Sequence, residues 1–342
     1  MATLTFKPKQ VTKKLLDTLP ERARDVLVKR YGLGSEEKPK TLEAIGKSYG
    51  ITRERVRQIE EYAISNIRKS DEFNNSSTYF NEIHKIIDGL GGVVSEEELL
   101  EEISKNKGIQ NHIHFLLVLG DSFTKMKENS DFICRWCIDK NLSKDIEGSI
   151  KKLYEGLDDD AIVTESELIN SFLTHLKNVS DKYKDEAILK RWLNMSKKVS
   201  SNPLGQWGRS TSPNINVKGM RDYAFLVIRQ HGSPIHFREV AQQINKLFDK
   251  KAHIATTHNE LIKDPRFVLV GRGLYALKEW GYISGVVRDV INEVIEKYGP
   301  LTKSEIIDKV LKERYVKENT IMVNLQNPKY FKKDKEGRYS II

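Results

Sequence analysis

The stretch Thr41-Leu42-Glu43-Ala44-Ile45-Gly46-Lys47-Ser48-Tyr49-Gly50-Ile51-Thr52-Arg53-Glu54-Arg55-Val56-Arg57-Gln58-Ile59-Glu60 reads as two short helices joined by a tight turn. Thr41 can cap the first helix, whose inward face is Leu42, Ile45 and Tyr49. Gly50 supplies a left-handed turn residue, Ile51 plugs the gap and Thr52 caps the second helix. With Arg53 set at 0° on a helical wheel, Arg57 falls at about 40°, Glu54 at about 100° and Gln58 at about 140°. Thr52, Val56, Ile59 and Ala63 cluster on the opposite side, between about 240° and 300°. One face is therefore apolar, and the other presents Arg53, Glu54, Arg57 and Gln58, side-chain types suited to the edges of guanine, cytosine and adenine. A helix-turn-helix used only for docking on protein is the alternative.

The surrounding residues carry a resemblance. Leu19-Pro20-Glu21-Arg22 through Arg30-Tyr31-Gly32-Leu33, then Thr41 to Gly46, then Thr52 to Glu60, closely resemble region 4 of primary bacterial sigma-70 factors over roughly residues 11–70. The resemblance implies a domain that reads the −35 promoter element with its second helix and grips the flap of the polymerase β subunit. By position it assigns base reading to Arg53, Glu54, Arg57 and Gln58, and phosphate contact to Thr41, Lys47 and Arg55. Nothing in the chain resembles region 2 of that family, which recognises the −10 element. The expectation is a region-4-like reader joined to a regulatory array, not a free-standing sigma factor.

Beyond this head, one pattern recurs four times: an apolar residue, a cap, two variable residues, then Glu followed by apolar positions. It appears at Val94-Ser95 with Glu98, Val163-Thr164 with Glu167, Ile235-His236 with Glu239, and Leu301-Thr302 with Glu305. The Glu positions lie 69, 72 and 66 residues apart. Three copies fit a capping box at a helix start, while the third has His in place of Ser or Thr. Each copy follows another amphipathic helix, as with Met220, Tyr223, Ala224 and Val227 in the third. Each unit closes with a candidate β-ribbon, clearest where Phe267–Val270 and Leu274–Leu277 flank Gly271-Arg272-Gly273.

Helix, turn, two helices and a ribbon is the layout of a winged helix. The expected fold is thus mainly α: a helix-turn-helix over residues 1–72, then winged-helix-like units over 79–140, 141–215, 216–284 and 285–342. Asn74–Thr78 reads as a linker, and Ser200–Val217 as a long wing or linker. The run from Gly219 to Tyr282 resembles the HARE-HTH domain, a winged-helix family that includes the N-terminal domain of the polymerase delta subunit. From the residues themselves, Arg266 and Arg272 border the third helix and ribbon of that unit and are candidate phosphate contacts.

Charge follows the same divisions. The 342 residues hold 57 Lys plus Arg and 48 Asp plus Glu, a net +9. Residues 1–72 carry 16 basic and 11 acidic side chains (net +5), residues 73–196 carry 15 and 22 (net −7), and residues 197–342 carry 26 and 15 (net +11). Basic ends suggest an anionic partner such as double-stranded DNA. Protein-binding scaffold modules are the favoured reading of the acidic centre.

Several functions find no seat. The apolar runs, Phe267–Val270 among them, are only a few residues long and too short to span a bilayer, and no signal core follows the first charges. Two cysteines exclude a disulfide scaffold and fit a reducing bacterial cytoplasm. Cys134 and Cys137, with His112 and His114 upstream, could supply four zinc ligands, but the Cys pair falls where the other units place a ribbon strand. No Walker loop, dinucleotide fingerprint or nucleophile–base arrangement occurs, so no cofactor, metal, small-molecule substrate or catalysis is expected. The reading is a transcription regulator that binds promoter DNA carrying a −35-like element, the RNA polymerase core through the β flap, or both. An adaptor that binds mainly polymerase, or an accessory of DNA modification, stands as the alternative.

Overall fold

Among residues 4–342, which the computed structural model describes, the chain is mostly helical with four small sheets. None of these helices is long and apolar enough to cross a membrane. The Cα trace divides into two units: one runs to Ser200 and includes Trp207–Ser210, and the other holds Ser201–Gln206 and Thr211–Ile342.

The first unit opens with α1 (Pro8–Asp17), started by proline at its first turn, and α2 (Glu21–Tyr31), ended by Gly32 at φ 64°. The helix pair α3 (Leu42–Tyr49) and α4 (Arg53–Arg68) follows, and the short α5 (Asp71–Asn75) leads into α6 (Ser77–Gly89). Next come β1 (Val93–Ser95), α7 (Glu96–Ile103), α8 (Lys107–Leu119), β2 (Thr124–Met126) and β3 (Arg135–Cys137). After them stand α9 (Lys140–Gly156), α10 (Glu165–His175), α11 (Glu186–Asn194), β4 (Val199–Ser201) and β5 (Trp207–Arg209).

Asn74–Thr78, polar enough to read as a linker, is instead a helix junction. Ser76 is buried and its hydroxyl donates to the Glu72 carbonyl at 2.7 Å, while Phe73 and Phe80 meet across it at 5.0 Å. The reason lies in the core. Leu15, Leu27 and Ile67 from the head share one apolar cluster with Ile83, Ile87, Leu99, Phe115, Leu116 and Trp136. Helix α8 carries that cluster, packing against α1, α2 and α4 of the head and also against α7. Its polar side chains do the same: Asn111 donates to the carbonyls of Gly32 (3.0 Å) and Glu37 (2.8 Å), and His112 Nδ1 lies 2.6 Å from the Thr12 hydroxyl. Arg68 of α4 in turn donates to the last carbonyls of α8, those of Val118 and Leu119, both at 3.0 Å.

In the second unit, α12 (Met220–His231), β6 (Ile235–His236), α13 (Phe237–Phe248), α14 (Ile254–Lys263), β7 (Phe267–Leu269) and β8 (Leu274–Leu277) form one grouping. The other is α15 (Val287–Tyr298), β9 (Leu301–Thr302), α16 (Lys303–Glu313), α17 (Glu318–Leu325), β10 (Phe331–Lys333) and β11 (Arg338–Ile341). Three sheets share one antiparallel order, with the strand before the second helix beside the last strand: β1-β3-β2, β6-β8-β7 and β9-β11-β10. Ser200–Val217 supplies the β4–β5 hairpin first, then irregular chain.

The recurring apolar residue is the point of pairing, and its partner is aromatic every time. Val94 faces Trp136, Val163 faces Trp207, Ile235 faces Tyr275 and Leu301 faces Tyr339. In the second copy this is a single bridge, closed by two hydrogen bonds of 2.9 and 2.8 Å between Val163 and Trp207. Both tryptophans donate their indole N–H to the first residue of the helix that follows, Trp136 to Glu96 (2.8 Å) and Trp207 to Glu165 (3.3 Å). The capping boxes at Thr164–Glu167 and Thr302–Glu305 close fully. Ser95 caps its helix, but the Glu98 carboxylate is drawn to Arg191 at 2.6 Å, and His236 caps through Nδ1 at 3.3 Å from the Arg238 amide.

Phe115 is fully buried in the cluster that joins α8 to the head. Phe115→Ala should destabilise the fold by about 3–5 kcal/mol, and hydrogen exchange should rise in α2 and α6 together. A rise confined to α6 would mean that the head is held independently.

Candidate nucleic-acid interface

The α3–α4 corner is built by its turn. Gly50 takes φ 66°, and at Gly46 a Cβ would sit 2.7 Å from the Ile51 carbonyl, so the turn can fold back tightly only over glycine. Thr41 accepts from the Ala44 amide and Thr52 from the Arg55 amide, each at 3.2 Å. Val26, Ile45 and Val56 form the small core beneath, with Leu42, Tyr49, Ile51 and Ile59 around it. Polar locks surround that core. Tyr31 donates to Glu60 at 2.9 Å, and burial followed by that carboxylate pushes its phenol well up. Burial opposes ionisation of Asp25, yet hydrogen bonds from Lys29 and Tyr49 hold its carboxyl below the usual range.

Arg53, Glu54, Arg57 and Gln58 are all exposed on the side of α4 away from this core. They are not idle there. Arg57 is paired with Glu54 at 2.7 Å and with Glu61, and these carboxylates hold its guanidinium protonated and draw the Glu54 carboxyl down. Arg55 donates to Gln58 Oε1 at 3.0 Å. Lys47 is 78% exposed and paired with Glu43 at 2.9 Å, and Thr41 is exposed at its cap. The sequence reading passed over Glu61, which closes the clamp on Arg57 from the next turn. Its spacing of four residues was the available signal.

Away from the head, Arg272 is exposed at the tip of the β7–β8 turn. Arg266 differs from the expectation of a phosphate contact. Its guanidinium meets Asp264 at 2.7 Å and Asp222 at 2.9 Å, and donates to Asn214 at 3.2 Å. Burial works against the charge, but the two aspartates hold it protonated. Asp222 also accepts from the Lys218 and Gly219 amides at the start of α12, so Arg266 ties that helix end to the strand β7. The reason is local: an Arg two residues after a buried Asp is drawn inward to neutralise it.

The four tempting metal ligands are not assembled. His112 faces Thr12, and His114 packs against Tyr31 and Trp136. Cys137 is buried in β3, which pushes its thiol up to about 11. Among the described residues no three His, Cys, Asp or Glu side chains are placed to hold a metal ion.

With this geometry in place, the comparisons are specific to the head. Residues 15–69 match the family model for Sigma-70, region 4. RNA polymerase sigma factor SigA of a Bacillus species is 47% identical over 60 residues, which is 18% of this chain and 16% of that protein. SigA of a Nostoc species is 53% identical over 55 residues, 16% of this chain and 14% of its own length. RNA polymerase sigma factor RpoD of Helicobacter pylori is 52% identical over 54 residues, 16% of this chain and 8% of that protein. The chain thus spans a small fraction of the length of these relatives. The HARE-HTH resemblance of Gly219–Tyr282 gains no support from them.

Arg266→Ala would leave two buried carboxylates facing each other and should cost about 3–5 kcal/mol, read as a lower denaturation midpoint. A loss of DNA affinity at unchanged stability would return Arg266 to the interface. Cys137, un-ionised at neutral pH, should resist a thiol reagent until the fold opens. Rapid labelling of Cys137 itself in the native protein, as distinct from the half-buried Cys134, would contradict that.

Proposed function

We infer that this chain is a DNA-binding regulator of transcription that uses residues 15–69 to read promoter DNA together with the RNA polymerase core. One observation carries the reading: the region 4 match covers the helix pair whose outer face holds Arg53, Glu54, Arg57 and Gln58. In this reading α4 enters the major groove, those four side chains meet base edges, and Thr41, Lys47 and Arg55 meet the phosphates. The target is a −35-like element and the polymerase contact is the β flap. Region 4 is a DNA-binding, non-catalytic domain, in keeping with a protein that is not an enzyme.

The remainder is a tandem of winged helices over 79–140, 141–215, 216–284 and 285–342, with 216–284 of the HARE-HTH type. The sheet order common to three of these units and the four aliphatic–aromatic pairs support the tandem. Arg272 on one hairpin, and the exposed Lys332, Lys333, Lys335 and Arg338 on the last, add phosphate contacts in this reading. A specific observation favours protein contact for residues 216–284. Helix α14 exposes Ile254 (45%) and Ile262 (62%), apolar side chains that gain nothing from a phosphate backbone. The polymerase-bound adaptor is therefore the second reading, separated from the first by pull-down with core polymerase against DNA occupancy.

Binding of the full chain to a −35-containing duplex should fall at least about tenfold between 50 and 200 mM salt, as counterions compete for the phosphates. Arg57→Ala and Gln58→Ala should each reduce discrimination against a mismatched site by about 1–3 kcal/mol, whereas Glu61→Gln should leave Arg57 held by Glu54 alone and tighten binding. Variants that rank every duplex as the parent does would dismiss base reading by α4.

A further inference from the structure

Arg314, at the end of α16, is 4% exposed, and no carboxylate among the described residues lies close enough to pair with it. Its Nη2 donates to the carbonyls of Ile283 (3.0 Å) and Gly285 (2.5 Å). Its Nε is buried without a partner, and Nη1 makes no hydrogen bond among the described residues. Burial accordingly works against its charge, with Glu313 and Asp289 attracting it only from beyond pairing distance. A buried guanidinium without a carboxylate partner is costly to keep, and an anion placed against it would offset that cost.

The surroundings are those of a binding site. Arg314 lines a groove of about 840 Å³ between the β7–β8 turn and the helices α15 and α16. The turn is fastened there: the Tyr315 amide donates to the Val270 carbonyl at 2.7 Å, and a Cβ on Gly271 would come within 2.9 Å of Tyr315. Leu274, Val286 and Leu311 give the groove apolar walls, with Val286 60% exposed and Leu311 37% exposed. Arg272 and Lys317 also line it, and neither makes an ion pair among the described residues.

We propose that this groove binds a small organic acid, its carboxylate on Arg314 and its apolar body along Leu274, Val286 and Leu311. The buried guanidinium of Arg314, with Arg272 and Lys317 also lining the groove, calls for an anionic group, and a carboxylate accepts from an arginine N–H with good geometry. Apolar walls favour a carbon chain or ring over a fully hydrated inorganic ion. Because the ligand would touch both the β7–β8 turn and α16, it would brace one grouping of the second unit against the other. The site is independent of the head and of its reading of DNA.

The test is isothermal titration of the full chain with octanoate, octan-1-ol and inorganic phosphate, with amide shifts to locate binding. Octanoate should bind at least tenfold tighter than octan-1-ol and shift the amides of Gly271–Leu274 and Val316–Thr320, while phosphate leaves them in place. Arg314→Met should erase the preference for acid over alcohol. Should that variant not fold, Leu311→Trp, at an exposed wall position, narrows the groove and should block octanoate. Equal binding of acid and alcohol, shifts elsewhere, phosphate in place of octanoate, or undiminished binding in Leu311→Trp would each overturn the proposal.

Discussion

Helix α8 is the constraint on which the first unit depends. A thirteen-residue helix with eight buried positions cannot stand on one face alone, and it buries them between the head and the helices that follow. Phe115, Leu116 and Leu119 close one cluster with Leu15, Leu27 and Ile67, while Asn111 and Arg68 satisfy backbone groups that packing would otherwise strand. The head therefore keeps only part of its surface for outside partners. The outer side of the α3–α4 pair stays open, and its small core of Val26, Ile45 and Val56 adjoins the larger cluster through Ile59.

The same order of elements is used differently along the chain. Helix α8 lies where α14 and α17 lie in the later groupings, yet α8 is buried, while α14 exposes Ile254 and Ile262 and α17 exposes Val323 (69%). The cross-strand pair of an aliphatic with an aromatic residue is the feature held in common. It fixes the register of the strand that precedes the second helix, because a slip of one residue would turn the aromatic ring to the other face. The acidic groupings use tryptophan and tether its indole to a glutamate, whereas the basic ones use tyrosine. The acidic charge of the centre is thus partly spent on internal contacts, Glu96 and Glu165 with tryptophan, Glu98 with Arg191 and Glu147 with Arg135.

Two arginines of the basic half show why net charge is a coarse guide. Arg266 is neutralised by Asp222 and Asp264 and joins a helix end to a strand, so it adds nothing to an outward field. Arg314 is buried without a carboxylate and faces a groove instead. Both count equally in the sum of +11, and neither is an exposed cation.

The local features of this protein were open to reading because they rest on chemistry within a few residues. The turn at Gly50, the caps at Thr41 and Thr52, the buried Val56 against the exposed Arg57, and the hairpin around Arg272 all follow from helical period, φ preference and capping. The repeat was visible through its cap and glutamate, but its aromatic half was not, since Trp136 lies 42 residues beyond Val94 and only strand pairing brings them together. The order of residues alone determined the four-part repeat, the helix-turn-helix pattern and the segregation of charge. The folded chain decided that Asn74–Thr78 is a helix junction, that Arg266 turns inward and that Arg57 is clamped by Glu61. Burial and pairing depend on which distant side chains arrive at each position, and short-range pattern carries no record of them.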